Sequence, residues 1–258
     1  MDSDYRSQWL QAIKQRYSTR KFNNQPVQNT DIISLEECEA MLDAMYGNVR
    51  IRMEKLEDNS LFSGLGAVVG GINGAPYAAA FIGKANDPNV RFDIGMAGEK
   101  FILHATALGL KTCWVGGGFN KRVAYRMFSV DKDEEIFAIC PIGHSDAPPS
   151  AYHSQRKPLA EIADLQQLAS LPHDFTQAIE HARVAPSSIN RQCWYFDAAE
   201  NGITVSLAKN ASMLVASKML LIDLGIAASH IEIYMAEKAG IKGEWEYGKD
   251  YLTYKINT

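Results

Sequence analysis

One short pattern occurs twice in this chain, and each copy opens an apolar helix. Residues 93–97 (DIGMA) recur as residues 223–227 (DLGIA). Apolar residues at helical spacing then continue to a glycine that can end a helix, Gly109 after the first copy and Gly240 after the second. A strand pattern precedes both helices, so strand, core helix and glycine stop follow one another twice. We therefore expect two related halves in one chain, although the distance to the closing glycine differs by one residue.

The composition is that of an ordinary soluble protein. The chain has 258 residues, 47% of them hydrophobic and 22% charged, enough for one large domain or two small ones. A formal net charge of -4 speaks against non-specific nucleic-acid binding. We find no apolar run long enough to cross a bilayer and no signal-peptide pattern at the N-terminus, so we expect no membrane partner. The four cysteines form no Cys-x-x-Cys pair, which indicates reduced thiols and a cytoplasmic location.

Apolar periodicity and stop signals predict the elements of the first part of the chain. A helix is expected over residues 5–17. A second helix is expected after Ser34, which forms a capping box with Glu37, and it should end at Gly47. The other elements expected here are a buried strand over residues 77–82, the core helix to Gly109, strands over 111–115 and 136–142, and a glycine-rich loop over 64–74 that lacks the ending of a nucleotide P-loop.

A proline-rich connection over residues 148–158 separates this part from the rest, which predicts halves at 1–158 and 159–258. Asn201-Gly202 predicts the turn of a β-hairpin. The elements expected in the second half are a helix over 159–173, a helix capped by Asp174 and Gln177, strands over 194–198 and 203–207, and a long helix over 213–239.

Residues 16–22 (RYSTRKF) form an arginine run at the predicted end of the first helix. Guanidinium groups bind phosphate oxygens in pairs, and Ser18 adds a neutral donor between Arg16 and Arg20. The run therefore suits a phosphate group. A solvated basic helix end that interacts with the helix dipole is an equally good interpretation of this segment alone.

Residues 186–194 (PSSINRQCW) form a second polar segment, before an apolar strand. Its two hydroxyls and two amides suit the edge and face of a polar, planar ring. The alternative is a turn that ends one helix and leads into a strand. The number and regular placement of the polar residues favour the binding interpretation.

Together the two segments resemble the nitroreductase family, whose members depend on flavin mononucleotide (FMN). The resemblance covers nearly the whole chain and implies an α+β fold, with mainly antiparallel central sheets flanked by helices. Cys193 stands where the family usually has proline, which puts the placement of Gln192 and Trp194 in question. The family carries both segments close together in sequence, whereas here they lie in different halves. The simplest account is a fused pseudo-dimer with one surviving site, either a monomer or a loose homodimer.

The resemblance also implies roles for individual residues. Arg16 and Ser18 would hold the FMN phosphate, and Arg20 would lie at the pyrimidine edge of the flavin. A glycine of the turn after Trp114 would bring the backbone close to flavin N5 and O4, as only glycine allows. No catalytic side chain and no metal site are expected. The implied cofactor-binding residues are Arg16, Tyr17, Ser18, Arg20, Gly116, Gly117, Arg156, Lys157, Pro186, Ser187, Ser188, Asn190 and Gln192.

The function implied is that of an FMN-dependent oxidoreductase. It would take electrons from NAD(P)H and reduce a nitroaromatic, a quinone or a similar flat small molecule, by ping-pong hydride transfer through flavin N5. A flavin-binding or carrier protein without turnover is one alternative, and a cofactor-free descendant that binds small molecules is another. One chain is expected to bind one FMN, at the junction of its two halves.

Overall fold

The computed structural model describes residues 3–63, 71–149, 155–209, 211 and 217–256. Its chain divides into two compact units, each containing one sheet. We call them the β1–β4 unit (Gln15–Val90 and Lys100–Ser154) and the β5–β8 unit (Met1–Lys14, Arg91–Glu99 and Gln155–Thr258). The predicted boundary after residue 158 stays a prediction, and most of the glycine-rich stretch 64–74 lies outside the described residues.

Helices and strands are interspersed along the described part of the chain. The α-helices are α1 (Ser3–Gln15), α2 (Asn29–Tyr46), α3 (Val90–Ala107), α4 (Lys121–Met127), α5 (Leu159–Ile162), α6 (Leu165–Ala169), α7 (His173–Arg183) and α8 (Ser217–Glu237). The strands are β1 (Val49–Lys55), β2 (Tyr77–Lys84), β3 (Lys111–Thr112), β4 (Glu134–Gly143), β5 (Trp194–Ala199), β6 (Gly202–Leu207), β7 (Gly243–Tyr247) and β8 (Tyr251–Ile256).

The two sheets have the same topology. The first has the strand order β1-β2-β4-β3, and the second has the order β5-β6-β8-β7. Every strand pair in both sheets is antiparallel. In each case a long apolar helix, α3 or α8, separates the second strand from the third along the chain. The prediction of an α+β fold with antiparallel sheets flanked by helices is therefore confirmed.

The repeated DIGMA and DLGIA segments cross each other at their glycines, inside the β5–β8 unit. A Cβ atom added at Gly95 would lie 2.2 Å from the carbonyl oxygen of Ile222. One added at Gly225 would lie 2.1 Å from the carbonyl oxygen of Phe92. Phe92 and Ile222 each lie three residues before the glycine of their own helix. The contact is thus reciprocal, as at a two-fold interface between identical surfaces, and only glycine lets the two backbones approach so closely.

Helix ends agree with the predictions where a glycine marks them. α2 ends at Gly47 and α3 is followed by Gly109, and both glycines have positive φ, 56° and 82°. The predicted start of α2 after Ser34 is wrong, because the helix begins five residues earlier, at Asn29. Ser34 lies inside the helix, where its hydroxyl is hydrogen-bonded to Nε2 of His104 at 2.9 Å. The side chain thus bonds to a distant residue and does not cap the helix.

Two helix predictions between residues 159 and 177 also need correction. The single helix expected over 159–173 is two short helices, α5 and α6, because Ala163 is extended (φ -155°) and Asp164 caps a new helix with its carboxylate. The cap expected from Asp174 and Gln177 is absent, since Pro172 is the N-cap residue of α7 and Asp174 lies in its first turn. Proline suits this place because it has no backbone N–H to satisfy.

Three strands were not predicted. β1 lies in residues 49–60, where frequent charged side chains hide the strand pattern, and its Arg50 forms an ion pair with Glu134 of β4 at 2.5 Å. β7 and β8 complete the second sheet and follow α8. The hairpin β5–β6 is as predicted, with its turn one residue earlier, because Ala199 pairs with Gly202 and leaves residues 200 and 201 between the strands.

α8 corrects the expectation that no apolar run could cross a bilayer. Among the described residues, the stretch Met219–Glu237 is long and apolar enough by composition alone. However, 78% of this stretch is buried inside the protein, as in the core helix of a globular domain. The helix contacts β5, β6 and β8 of its own sheet, and its Leu220, Leu224 and Ile231 are almost wholly buried.

Candidate functional site

The arginine run is extended and pairs with two other segments of the β1–β4 unit. α1 ends at Gln15, just before the run. On one flank Thr19 donates its N–H to the carbonyl of Thr112 in β3 at 2.8 Å. On the other flank Phe22 donates to the carbonyl of Asn73 at 2.9 Å, and Asn73 donates back to Arg20. These bonds fix the backbone of the run without using any of its polar side chains.

Three of the predicted phosphate- and flavin-binding side chains influence one buried thiol, that of Cys113. Arg16, Ser18 and Arg20 alternate along the extended run and are each partly exposed, whereas Thr19 between them is buried. Burial raises the pKa of the Cys113 thiol, and the charges of Arg20 and Arg16 and a hydrogen bond with Ser18 oppose that rise. Ser18 therefore lies beside Cys113, and the charges of Arg16 and Arg20 act on the same thiol.

The partly buried Tyr17 side chain has two contacts within the protein. Its hydroxyl donates to the carbonyl of Ala147 at 3.1 Å, and the ammonium group of Lys111 lies 4.9 Å from the centre of its ring. The side chain therefore ties the run to the segment that follows β4. Its predicted part in cofactor binding stays a prediction.

The glycine turn begins close to the same thiol. The chain leaves β3, passes through Cys113 and pairs once more with β4, where Val115 and Ile139 exchange two backbone hydrogen bonds of 2.8 and 3.0 Å. Gly116 and Gly117 follow directly. A Cβ atom added at Gly117 would meet no described atom within 4 Å. Among the described residues, Gly117 thus has room for a side chain beside it, and six predicted site residues lie in the β1–β4 unit.

The other seven predicted site residues lie together in the β5–β8 unit. The Pro-Ser-Ser segment follows α7 with a single 3-10 turn over Ser188–Asn190. Ile189, Asn190 and Gln192 all have left-handed backbone angles, with φ of 46°, 55° and 50°. Such angles cost a non-glycine residue on the order of 1–3 kcal/mol and persist only where the surroundings hold them. Strain of this kind is typical of binding sites.

The basic segment Arg156-Lys157 is bonded to the Pro-Ser-Ser segment. Arg156 donates to the side-chain oxygen of Asn190 at 3.3 Å and to the carbonyl of Val184 at 3.0 Å. Lys157 donates its backbone N–H to the side-chain oxygen of Gln192 at 2.7 Å and its ammonium group to the carbonyl of Gln192 at 3.0 Å. The structure thus brings these four residues together, and the two cations brace a strained turn.

The amide group of the Gln192 side chain is hydrogen-bonded within the protein. The residue is only 5% exposed. Its amide nitrogen donates to the carbonyls of Asn190 and Gln155 at 3.2 and 3.4 Å, while its backbone N–H donates to the hydroxyl of Ser187 at 2.8 Å. The observed contacts are those of a residue that shapes the segment. Its predicted direct contact with a flavin stays a prediction.

Asp223 is the residue that the sequence analysis missed as part of this site. Its carboxylate, almost wholly buried, accepts the backbone N–H of Ser188 through both oxygens, at 3.0 and 3.1 Å. Burial raises the pKa of this carboxyl to about 7, although the bond from Ser188 opposes the rise. The signal was present in the repeat, where Asp223 is the first residue of DLGIA, but nothing in the sequence connects it to the Pro-Ser-Ser segment.

Cys193 shows no sign of a catalytic thiol. It is buried, with its sulfur 3.8 Å from Oδ2 of Asp223. Burial raises the pKa of the thiol, and the neighbouring Asp223 charge raises it further. A thiol of this kind stays protonated and is a poor nucleophile. All four cysteines lie in the described part of the chain and are free and buried.

The fold is of the nitroreductase type. The structure of a Thermotoga maritima protein, described as a "putative nitroreductase", aligns over 97% of this chain and 94% of its own, with a TM-score of 0.67 and 19% identity. A nitroreductase family protein from Clostridium difficile aligns over 97% of its own chain but only 61% of this one, with a TM-score of 0.50 and 22% identity. A protein from Desulfovibrio desulfuricans, solved in complex with FMN, is 22% identical with a TM-score of 0.48, over 59% of this chain and 93% of its own.

The sequence assigns the chain more narrowly. It belongs to the family described as "Putative TM nitroreductase", whose model matches residues 8–235. No curated protein matches the chain. The resemblance that the two polar segments indicated is therefore confirmed at the level of the family.

Proposed function

We propose that this protein is an FMN-dependent oxidoreductase that uses NAD(P)H to reduce a nitroaromatic, a quinone or a similar flat small molecule. The observation that carries the proposal is the extended arginine run, whose backbone is fixed by bonds to Thr112 and Asn73 and which leaves Arg16, Ser18 and Arg20 partly exposed, in a chain of nitroreductase fold and family. When bound, FMN would supply hydride transfer through its ring nitrogen N5, first from the nicotinamide and then to the acceptor.

The arginine run has the donors that a terminal phosphate needs. Arg16 offers a planar fork of N–H groups and Ser18 a neutral hydroxyl, and both are only partly buried. Arg20 would hold a positive charge beside the pyrimidine edge of the flavin, where reduction places negative charge. A cation that is already in place stabilises that charge without reorganising. The open space at Gly117 would let backbone N–H groups approach the ring.

The Pro-Ser-Ser segment would supply contacts to the ring or the ribityl chain. Ser187, Ser188 and Asn190 are partly exposed, whereas Gln192 is spent on internal bonds. We assign the direct contacts to the first three residues. Arg156 and Lys157 would act by holding the turn in shape, a role that their bonds to Asn190 and Gln192 support.

The repeated topology supports a fused pseudo-dimer with one FMN per chain. The two sheets have the same strand order, and α3 and α8 cross each other at Gly95 and Gly225. The chain nevertheless contains one arginine run and one Pro-Ser-Ser segment, so one set of parts suffices for one cofactor. The free, buried cysteines fit a cytoplasmic location.

Cofactor binding is tested by titrating the purified protein with FMN and following flavin fluorescence and absorption. We expect one FMN per chain. Arg16→Ala should weaken FMN binding by roughly 1.5–3 kcal/mol, the value of a hydrogen bond to a charged group. Lys21→Ala is the matched control, since it removes the same charge from an exposed position of the run. A protein that takes up no FMN, or an equal loss in both variants, would overturn the assignment.

Turnover is tested separately from binding. The FMN-loaded protein is mixed with NADH or NADPH and a nitroaromatic or quinone, and oxidation of the nicotinamide is followed by absorption. We expect parallel lines in double-reciprocal plots, the pattern of a ping-pong sequence. A loaded protein that oxidises neither nicotinamide is instead a flavin-binding or carrier protein.

A further inference from the structure

Asp223 is placed to control the shape of the Pro-Ser-Ser segment. It lies on α8 and is 1% exposed. Both of its oxygens accept the single backbone N–H of Ser188, which is the residue before the left-handed pair Ile189 and Asn190. A carboxylate held on a rigid core helix thus fixes the point at which the backbone enters its strained turn.

The strain makes this anchor consequential. Ile189 is β-branched, so its φ of 46° is a genuine outlier. The residue is 65% exposed, so burial does not hold it in this conformation. The bonds from Arg156 and Lys157 act on Asn190 and Gln192, at the far end of the turn. At its near end, Ser187 accepts the N–H groups of Asn190 and Gln192 within the segment, and Asp223 ties Ser188 to a core helix.

The matching residue of the other repeat has a different partner. Asp93 is the first residue of DIGMA, as Asp223 is of DLGIA. Its carboxylate accepts the hydroxyl of Tyr247 in β7 at 2.6 Å. No Pro-Ser-Ser sequence exists elsewhere in the chain for it to hold. Two equivalent carboxylates therefore have distinct tasks, and their comparison separates a structural effect from an effect on the site.

We propose that Asp223 is a positioning residue for FMN binding, which holds the N–H of Ser188 and thereby keeps Ile189 and Asn190 in the left-handed conformation that presents Ser187, Ser188 and Asn190 to the cofactor. This inference rests on the proposed function. It assigns no contact between Asp223 and the flavin. We assign no such role to Asp93, which accepts the hydroxyl of Tyr247.

The first test needs no cofactor. Amide hydrogen exchange is measured on the FMN-free protein over the peptide that contains Ser188–Gln192. Asp223→Ala should speed exchange at Ser188 by about tenfold or more, since it removes an acceptor charged in part at neutral pH. Asp223→Asn keeps one oxygen acceptor and should show a smaller increase. Asp93→Ala is the control and should leave this peptide unchanged. Equal exchange in the wild-type protein and Asp223→Ala would overturn the anchor.

The second test is the affinity for FMN, with the visible circular dichroism of the bound flavin as a spectroscopic signature. Asp223→Ala should raise the dissociation constant about tenfold or more and alter the flavin signal. Asp223→Asn should recover part of both, and Asp93→Ala should change neither, even if it lowers stability. If Asp223→Ala fails to fold, Asp223→Asn against Asp93→Asn makes the same comparison, and equal affinities overturn the proposal.

The two tests distinguish the two proposals. A wild-type protein that binds no FMN refutes the proposed function, whatever the exchange data show. A wild-type protein that binds FMN, with Asp223 variants that bind it equally well, refutes the positioning role alone.

Discussion

Replacing Gly225 by alanine should test the close helix crossing directly. The added Cβ would lie 2.1 Å from the carbonyl oxygen of Phe92, a distance that real Cβ atoms essentially never show. To restore 3.0 Å, the backbones of α3 and α8 must separate by about 0.9 Å, because the obstructing atoms belong to the main chain. Overpacking without a flexible neighbour costs about 3 kcal/mol, and alanine recovers about 1 kcal/mol of helix propensity. The expected net loss of stability is about 2 kcal/mol.

The assay is thermal and urea unfolding of the FMN-free protein. A loss of this size lowers Tm by about 4–8 °C in a chain of this length. Gly117→Ala is the control, since its Cβ meets no described atom within 4 Å and its φ is not left-handed, so its stability should change by less than about 0.5 kcal/mol. The reasoning is refuted if Gly225→Ala is as stable as the wild-type protein, or if the two variants lose equally.

The double variant sharpens the test. Gly95→Ala should cost about as much as Gly225→Ala, because its Cβ would lie 2.2 Å from the carbonyl oxygen of Ile222. Once one alanine has separated the helices, the second finds more room. The loss of stability in the double variant should therefore be smaller than the sum of the two single losses, by about 1 kcal/mol or more. Strict additivity would mean that the two glycines do not share one crossing.

Three further predictions concern charge. Because the pKa of Asp223 is raised, the folded protein holds a proton that the unfolded chain loses between pH 3.8 and about 7. Over this range the stability of the wild-type protein should fall with rising pH relative to Asp223→Asn, by at most about 4 kcal/mol in total. Equal pH profiles of the two proteins in urea unfolding would contradict this. Arg20→Ala should lower the reduction potential of bound FMN, measured by potentiometry, because the reduced ring loses a nearby positive charge, and an unchanged potential would contradict the role proposed for Arg20. Arg50→Ala should lower the free energy of unfolding by about 1 kcal/mol at neutral pH, because it removes the partner that lowers the pKa of Glu134. This loss of stability should vanish in acid, where Glu134 is protonated. A loss that does not depend on pH would contradict the ion-pair explanation.

Much of the fold follows from local signals in the sequence. Gly47 ends α2, Gly109 follows α3, and the strand pair β5–β6 lies at the predicted Asn-Gly turn, because positive φ angles and tight hairpins depend on a few residues. The strand β1 escaped prediction for the opposite reason. Its partly exposed Arg50 lies on an edge strand and pairs with Glu134, 84 residues away, which the local sequence does not reveal.

The candidate site divides in the same way. Residues 16–22 and 186–194 are recognisable in the sequence as a pair: the arginine run alone has an equally good interpretation as a basic helix end, and the second segment favours the binding interpretation. The sequence could not indicate that Tyr17 and Gln192 turn inward, because their partners, Ala147 and Lys157, lie far along the chain. Internal and external contacts use the same chemistry, and only the fold distinguishes them.

By itself, the sequence determined which residue types are available and where helices and turns can end, because these depend on neighbours a few positions apart. The tertiary structure decided what each polar group bonds to. Asp93 and Asp223 stand in equivalent positions of one repeated pattern, yet one accepts the hydroxyl of Tyr247 and the other the backbone of Ser188. A buried carboxylate must find a donor, and the donor that reaches it depends on which segments the packing of the helices brings near.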